Sequence, residues 1–274
     1  MRYRVYASLL DKFQSLKDYE KVAEEPWNKK DDEYILTPDE MYSKLEVELI
    51  NTINRCPKEP SEAADKGTAF NEVIDCLILN KPTDRTDMEI KSDKIGNISV
   101  IIVKFNGFTF TFETALCKVV AARYRNSLPQ YLCTAPINTP YGEVELYGYI
   151  DEWCGAKMYD IKTTSSYTFG KYAKKWQKAV YPYCVIKSGM TTKVDTFEYT
   201  VVKLSKPSIH TPYITGLVYP EIYDYNHGKA IDELKEILTG FIAWLELRKD
   251  YITDKRIFGG ENADGYVGTP ITEI

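Results

Sequence analysis

Tyr147-Gly148-Tyr149-Ile150-Asp151, then eight residues, then Asp160-Ile161-Lys162-Thr163-Thr164 is the stretch of this 274-residue chain on which its fold turns. Each half has the composition of a strand, and Cys154-Gly155 between them supplies a tight turn. Side chains alternate along a strand, so Asp160 and Lys162 project to one side while Tyr159 and Ile161 point to the other. The turn folds the first half back beside the second and brings Asp151 close to Asp160. Two carboxylates about 5 Å apart at an effective dielectric of about 20 repel by roughly 3 kcal/mol, so something positive must lie between them. A hard divalent cation with oxygen ligands fits best. Such a cation lowers the pKa of a bound water, polarises a phosphoryl oxygen and stabilises a leaving oxygen. Lys162 can orient or deprotonate that water, or neutralise charge on the phosphorane. Phosphodiester hydrolysis is the natural chemistry, although the same spacing also fits a solvated strand pair with ordinary Asp and Lys side chains.

Working outward, Tyr131 to Ile137, a turn at Thr139-Pro140-Tyr141-Gly142, Glu143 to Asp151 and Lys157 to Thr163 predict a meander of three antiparallel strands. Upstream, Ile98 to Phe105 is apolar and β-branched, Asn106-Gly107 signals a hairpin, Phe108 to Phe110 returns, and a helix follows from about Glu113 to Arg125. The N-terminal third reads helical. Ser8 caps a short helix, and the polar stretch from Lys17 to Asp32 reads as a loop. Thr37-Pro38-Asp39-Glu40 then opens a helix with a capping box, its inward side formed by Met41, Leu45, Val47, Leu49 and Ile53. A second helix is predicted from about Gly67 to Leu79, with Phe70, Val73, Ile74 and Leu77 inward. Beyond the meander, Phe169 to Lys187 reads as a helix despite Pro182, Lys193 to Leu204 as a long strand, and His227 to Lys249 as the last helix. These elements predict one α/β domain over residues 1–258: an N-terminal helical elaboration (1–66), a core (67–205) and a C-terminal strand and helix (206–258). A flexible tail is expected at 259–274.

The chain is 44% hydrophobic and 27% charged, which places it among ordinary globular proteins. Its 35 Lys and Arg against 40 Asp and Glu exclude a globally basic nucleic-acid coat but leave room for a local basic strip. Lys171, Lys174, Lys175 and Lys178, with Trp176 nearby, lie at helical spacing in the 169–187 segment; they fit either a solvated face or a strip that holds a DNA backbone. Arg123 and Arg125 can add to such a strip, whereas His210 and His227 match no motif. The six cysteines form no CxxC pair and no zinc-like cluster. The apolar stretch after Met1 is cut off by Asp11 and Lys12, and no run approaches the roughly 18 apolar residues of a membrane helix. Reduced thiols in a soluble cytoplasmic protein, with no membrane partner, are expected.

Gly148 to Asp151 as GxxD, Asp160 to Lys162 as DxK and Gln177-Lys178-Ala179-Val180-Tyr181 as QxxxY resemble, in order and spacing, the RecB-like branch of the PD-(D/E)XK nucleases, including relatives of lambda exonuclease. Gly67-Thr68-Ala69-Phe70-Asn71-Glu72 looks like that family's first-motif helix, and Tyr6-Ala7-Ser8-Leu9-Leu10-Asp11-Lys12-Phe13 is similar to its N-terminal segment. The resemblance spans residues 6 to 185 and implies a restriction-endonuclease-like α/β core, a central mixed β-sheet flanked by helices. Carried over residue by residue, it implies that Asp151 and Asp160 bind Mg2+, with Mn2+ substituting, that Ile161 supplies a backbone carbonyl to the metal, and that Lys162 is the catalytic lysine. Many relatives place His four residues after the glycine; here Asn71 stands there, with Glu72 directly after it. Consecutive helix residues diverge by about 100 degrees, so only one faces the site. Glu72 is the better oxygen ligand, with Asn71 in reserve. Gln177 and Tyr181 share one helix face, where the family's helix contacts substrate or supports the lysine. Relatives that carry an iron-sulfur cluster have further cysteines after QxxxY; only Cys184 lies there, so no such cluster is expected.

The resemblance implies a metal-dependent DNA nuclease, an exonuclease or a recombination or repair nuclease, leaving a 5′-phosphate and a 3′-hydroxyl and at home in a phage-like element. The chain lacks a GxxxxGK[ST] phosphate loop, so a helicase or recombination partner would be a separate protein. The alternatives are a catalytically silent nuclease fold that binds DNA or serves in assembly, and RNA or nucleotide hydrolysis at the same site. Polarity, end preference and oligomeric state stay open.

Overall fold

Tyr3 and Val5 alternate inward along strand β1 (Arg2–Tyr6), which runs without a loop into helix α1 (Ala7–Lys17), where Leu9, Leu10, Phe13 and Leu16 are buried. The computed structural model describes residues 2–31 and 33–259; the expected tail, apart from Gly259, lies outside the described residues. Because β1 feeds α1 directly, Tyr6 occupies the N-cap position with no side-chain cap, and the cap expected of Ser8 is not made. The expected loop at 17–32 instead holds α2 (Tyr19–Ala23) and the start of a minimal hairpin of β2 (Lys29–Lys30) and β3 (Glu33–Tyr34). Helix α3 (Pro38–Ile53) opens on the capping box: the Glu40 amide donates to Thr37 Oγ1 at 3.4 Å, and the Thr37 amide donates to Glu40 Oε2 at 2.8 Å. Met41, Leu49 and Ile53 point inward as expected, but Val47 is exposed. Helix α4 (Glu62–Leu79) begins a turn ahead of Gly67 and buries Phe70, Val73 and Ile74.

An antiparallel sheet of β4 (Met88–Ile95), β5 (Ile98–Phe105) and β6 (Phe108–Glu113) follows, then α5 (Thr114–Arg123). Asn106 and Gly107 turn the β5–β6 hairpin at φ of 48° and 82°, and the Asn106 side chain donates to Asp65 Oδ1 of α4 at 3.1 Å. Strand β4 is mostly exposed and alternates apolar and polar residues only over Met88 to Lys91, so chiefly its pairing with β5 marks it as a strand.

The expected meander is present as β7 (Leu128–Thr139), β8 (Gly142–Cys154) and β9 (Lys157–Thr164), the last turn made by Gly155 at φ 59°. After α6 (Gln177–Lys187) come β10 (Thr196–Leu204), β11 (Gly216–Asp224) and α7 (His227–Leu247). The main sheet runs β1-β8-β9-β10-β11, with β7 also pairing β8; β1 with β8 and β9 with β10 are parallel and the other pairs antiparallel. Helices cover both faces of this mixed sheet. On β10, Val201 joins a core with α1, α6 and α7, while its neighbour Val202 joins the core of α4, α5 and the small sheet.

The 169–187 segment is helical only from Gln177. Gly170 adopts φ 87°, and the Gly170 and Tyr172 amides donate to the Glu221 carboxylate instead of to carbonyls one turn back. The chain therefore turns repeatedly through 169–175, and the four lysines expected along one helix side do not share one. Among the described residues no helix is long and apolar enough to cross a membrane.

One close approach decides where α6 lies. A Cβ on Gly148 would stand 2.4 Å from Tyr181 Cε1, so glycine lets α6 settle onto β8. Gly148→Ala is expected to cost about 1–3 kcal/mol of stability by overpacking, read as a lower midpoint in urea unfolding. An unchanged midpoint would mean that Tyr181 is free to move aside.

Candidate active site

Strand β8 is shared at a fork. Its Glu143–Tyr147 half pairs with β1, its Glu152–Cys154 end pairs with β9, and Gly148–Asp151 between them lies where one neighbour has left and the next has not arrived. One residue beyond the Glu152–Tyr159 pair stand Asp151 and Asp160. Asp151 Oδ2 accepts the Ile161 amide at 2.8 Å, so the carboxylate takes the place of a ladder carbonyl and closes the fork. Asp160 and Lys162 lie on one side of β9 as expected, with Lys162 Nζ 2.9 Å from Asp160 Oδ2. Gln177 Nε2 donates to Asp160 Oδ1 at 2.7 Å and to the Tyr181 hydroxyl at 3.4 Å. The structure thus brings Asp151, Asp160, Ile161, Lys162, Gln177 and Tyr181 together. Gln177 and Tyr181 are 4% and 1% exposed, so of the two expected roles, contact with substrate or support of the site, the buried placement fits support.

The sequence did not single out Asp11. Its Oδ1 accepts the Trp176 amide at 2.9 Å, just ahead of α6, and its Oδ2 lies 3.3 Å from Lys175 Nζ. A carboxylate at a helix N-terminus satisfies free donors and opposes the helix dipole. Asp11 thereby sets the position from which Gln177 reaches Asp160. The wide sequence separation of α1 and α6 hid this contact.

Burial raises the pKa of Asp160, with Lys162 opposing; burial and then the charge of Asp160 raise that of Asp151. A second carboxyl pair stands behind them. Asp75 on α4 is pushed up to about 7 by burial and by Glu72, and its charge also raises Asp151. Glu152, wholly buried, is pushed up to about 9 chiefly by burial and shares a hydrogen bond with Asp75. Its Oε2 accepts the Ser127 hydroxyl, while its Oε1 meets no donor among the described residues. Both shifts favour a proton retained within the Asp75–Glu152 pair.

Helix α4 approaches β9 where a Cβ on Gly67 would meet Thr163 Oγ1 at 2.9 Å. One and two turns further on stand Asn71, whose buried Oδ1 has no partner among the described residues, and Asp75. Glu72 is on the adjoining face, where its carboxylate accepts the Thr83 hydroxyl. The α4 carboxyl whose charge bears on Asp151 is Asp75, whereas the preferred ligand, Glu72, is engaged with Thr83. Four-residue spacing from Asn71 was the signal for Asp75.

The lysines are dispersed. Lys171 donates to Thr164 Oγ1 at 3.1 Å, Lys174 is exposed, Lys175 pairs with Asp11, and Lys178 lies 5.3 Å over the Tyr223 ring. Arg123 is paired with Glu198 at 2.7 Å, and His227 Nδ1 lies 2.9 Å from the Tyr225 hydroxyl. Among the described residues no three His, Cys, Asp or Glu side chains are grouped to hold a metal ion. Asp151, Asp160 and the Ile161 carbonyl would offer only oxygen donors, the kind a hard divalent cation takes, and burial is the main cause that raises both carboxyls.

No family model matches the chain, and no curated protein matches it. Among solved structures, one described as "Crystal structure of SSO0001" is similar over 86% of this chain and 75% of that one, with 10% identity and a TM-score of 0.31.

Carboxyls with raised pKa bind protons more tightly in the folded than in the unfolded chain. Their stabilisation is fully present below the unfolded value near about 4 and is lost as pH rises through the folded values. In EDTA the melting temperature is therefore expected to fall between pH 5 and 9, the window that Asp75 at about 7 and Glu152 at about 9 define. Glu152→Gln should flatten that fall, because an amide does not titrate. A melting temperature that rises across the window in both proteins would contradict the assignment.

Proposed function

We propose that the chain is a metal-dependent DNA nuclease of the PD-(D/E)XK superfamily, in the RecB-like and lambda-exonuclease-like branch, acting as an exonuclease or as a recombination or repair nuclease. The observation that carries it is the contact of Lys162 and Gln177 with one buried carboxylate, Asp160, while Asp151 stands one strand away and grips the Ile161 amide. In this reading Asp151, Asp160 and the Ile161 carbonyl hold Mg2+ or Mn2+. When bound, the ion neutralises the two carboxylates and polarises a phosphoryl oxygen of the DNA.

The protein's own groups do the rest. Gln177 spends a donor on Asp160 Oδ1 and so fixes the carboxylate's rotamer, with Oδ2 turned to Lys162. Lys162, the more exposed partner of its ion pair at 29% against 2%, is the cation that can swing from Asp160 to a phosphate oxygen as negative charge builds. Tyr181 and Asp11 act through Gln177 and α6, as positioning residues. The Asp75–Glu152 pair keeps a proton behind Asp151 and limits the negative charge gathered at the fork. DNA is the substrate, and a helicase or recombination protein is the partner that this class of activity calls for.

A second reading, DNA binding without turnover, is favoured by one feature: Glu72 is engaged with Thr83, and Asp75, the α4 carboxyl that bears on Asp151, is itself tied to Glu152, so α4 offers no uncommitted carboxylate to a cation at the pair. Incubation with linear duplex, single-stranded and closed circular DNA in Mg2+, Mn2+ and EDTA separates the two. The nuclease reading expects cation-dependent cleavage that falls roughly 10²–10³-fold or more in Asp160→Asn and Lys162→Ala, with folding checked by circular dichroism. Wild-type rates in Lys162→Ala would remove the proposed site. Binding in EDTA with no cleavage in either metal would establish the silent module.

A further inference from the structure

Residues 165–176 lead from β9 to α6, and one carboxylate holds their backbone in place. Glu221 of β11 is wholly buried. Its Oε2 accepts the Tyr167 hydroxyl at 2.7 Å and the Gly170 amide at 3.2 Å. Its Oε1 accepts the Tyr172 amide at 3.3 Å and the Tyr223 hydroxyl. Tyr172 is stacked on Tyr199 with ring centroids 5.4 Å apart, and Tyr199 is the ladder partner of Asp160. The segment is thus tied both to the edge of the sheet and to the strand that carries the site.

What this anchored segment holds out is Phe169, 78% exposed, directly before Gly170 at φ 87°. A buried carboxylate with four donors is a costly device for fixing a loop whose tip leaves a phenyl ring in water. Lys171 and Lys174, both exposed, lie within five residues of the ring. An aromatic face beside exposed cations matches an unpaired base and its phosphates: a base inside a duplex is covered on both faces by its neighbours, whereas an unpaired base has a face to offer.

We propose that Phe169 is a stacking platform for an unpaired base of a DNA strand passing to the site, with Lys171 and Lys174 against its backbone and Glu221 as the residue that positions the platform. The location beside a cleavage site rests on the nuclease reading. The binding does not, and the test separates the two.

Fluorescence anisotropy in EDTA, where no cleavage occurs, compares labelled oligothymidylate with a blunt duplex. Phe169→Ala is expected to weaken single-strand binding about 10-fold while leaving duplex affinity within about 2-fold, and Phe169→Trp to restore it. Glu221→Gln, which loosens the platform without removing the ring, should weaken single-strand binding too and should speed proteolytic nicking within 165–176. The exposed position of Phe169 keeps its variants foldable, and an unchanged melting temperature verifies this. Equal single-strand affinity of wild type and Phe169→Ala, equal losses on both DNA forms, or no single-strand binding by wild type overturns the platform. A wild type that never cuts DNA yet loses single-strand affinity in Phe169→Ala removes the nuclease reading and keeps the platform.

Discussion

Where β1 leaves β8 and β9 joins it, the Ile161 amide needs an acceptor, and the Asp151 side chain provides it at 2.8 Å. A buried backbone N–H left unpaired costs about as much as a lost hydrogen bond, so the fork is viable only with that carboxylate in place. The same bond sets Asp151 beside Asp160 and creates a concentration of negative charge that the surroundings must offset. Much of the structure around the fork serves this need. Lys162 pairs with Asp160, Gln177 donates to it, and Tyr181 backs Gln177 from the next turn of α6.

Two distant parts of the chain complete the arrangement. Asp11 of α1 receives the Trp176 amide and so positions α6, while Gly148 gives Tyr181 room to lie on β8. On the other side of the sheet, α4 carries Asp75 to Glu152. A proton retained between those two carboxyls leaves one fewer negative charge next to Asp151, which explains how so many acidic groups coexist in one buried region. An ion pair, a shared proton and a side-chain amide each neutralise part of the same field, and a bound cation would add to them.

The segment between β9 and α6 shows one carboxylate overriding local propensity. Its lysines and alanine favour a helix by composition, yet Glu221 collects the amides and hydroxyls that shape it into successive turns. The result spreads Lys171, Lys174, Lys175 and Lys178 over different surroundings and leaves Phe169 at the tip.

Local chemistry in the sequence was enough to determine the meander, the Asn106-Gly107 hairpin, the Thr37–Glu40 capping box, and the placing of Asp160 beside Lys162 and of Gln177 beside Tyr181. These depend on turn residues, caps and the periods of strand and helix, whose partners lie within a few residues or across one tight turn. Strand β4 escaped because its mostly polar, exposed residues carry little strand pattern of their own although it pairs with β5 across one tight turn, and β1 because its partner, β8, lies far along the chain. The same holds for Asp11, Asp75, Glu152 and Glu221, whose roles come from burial and from partners on other elements. Helical phase, the difference between Glu72 and Asp75 facing the fork, was decided only when α4 docked on β9 through Gly67, because packing fixes the rotation of a helix that its own sequence leaves free.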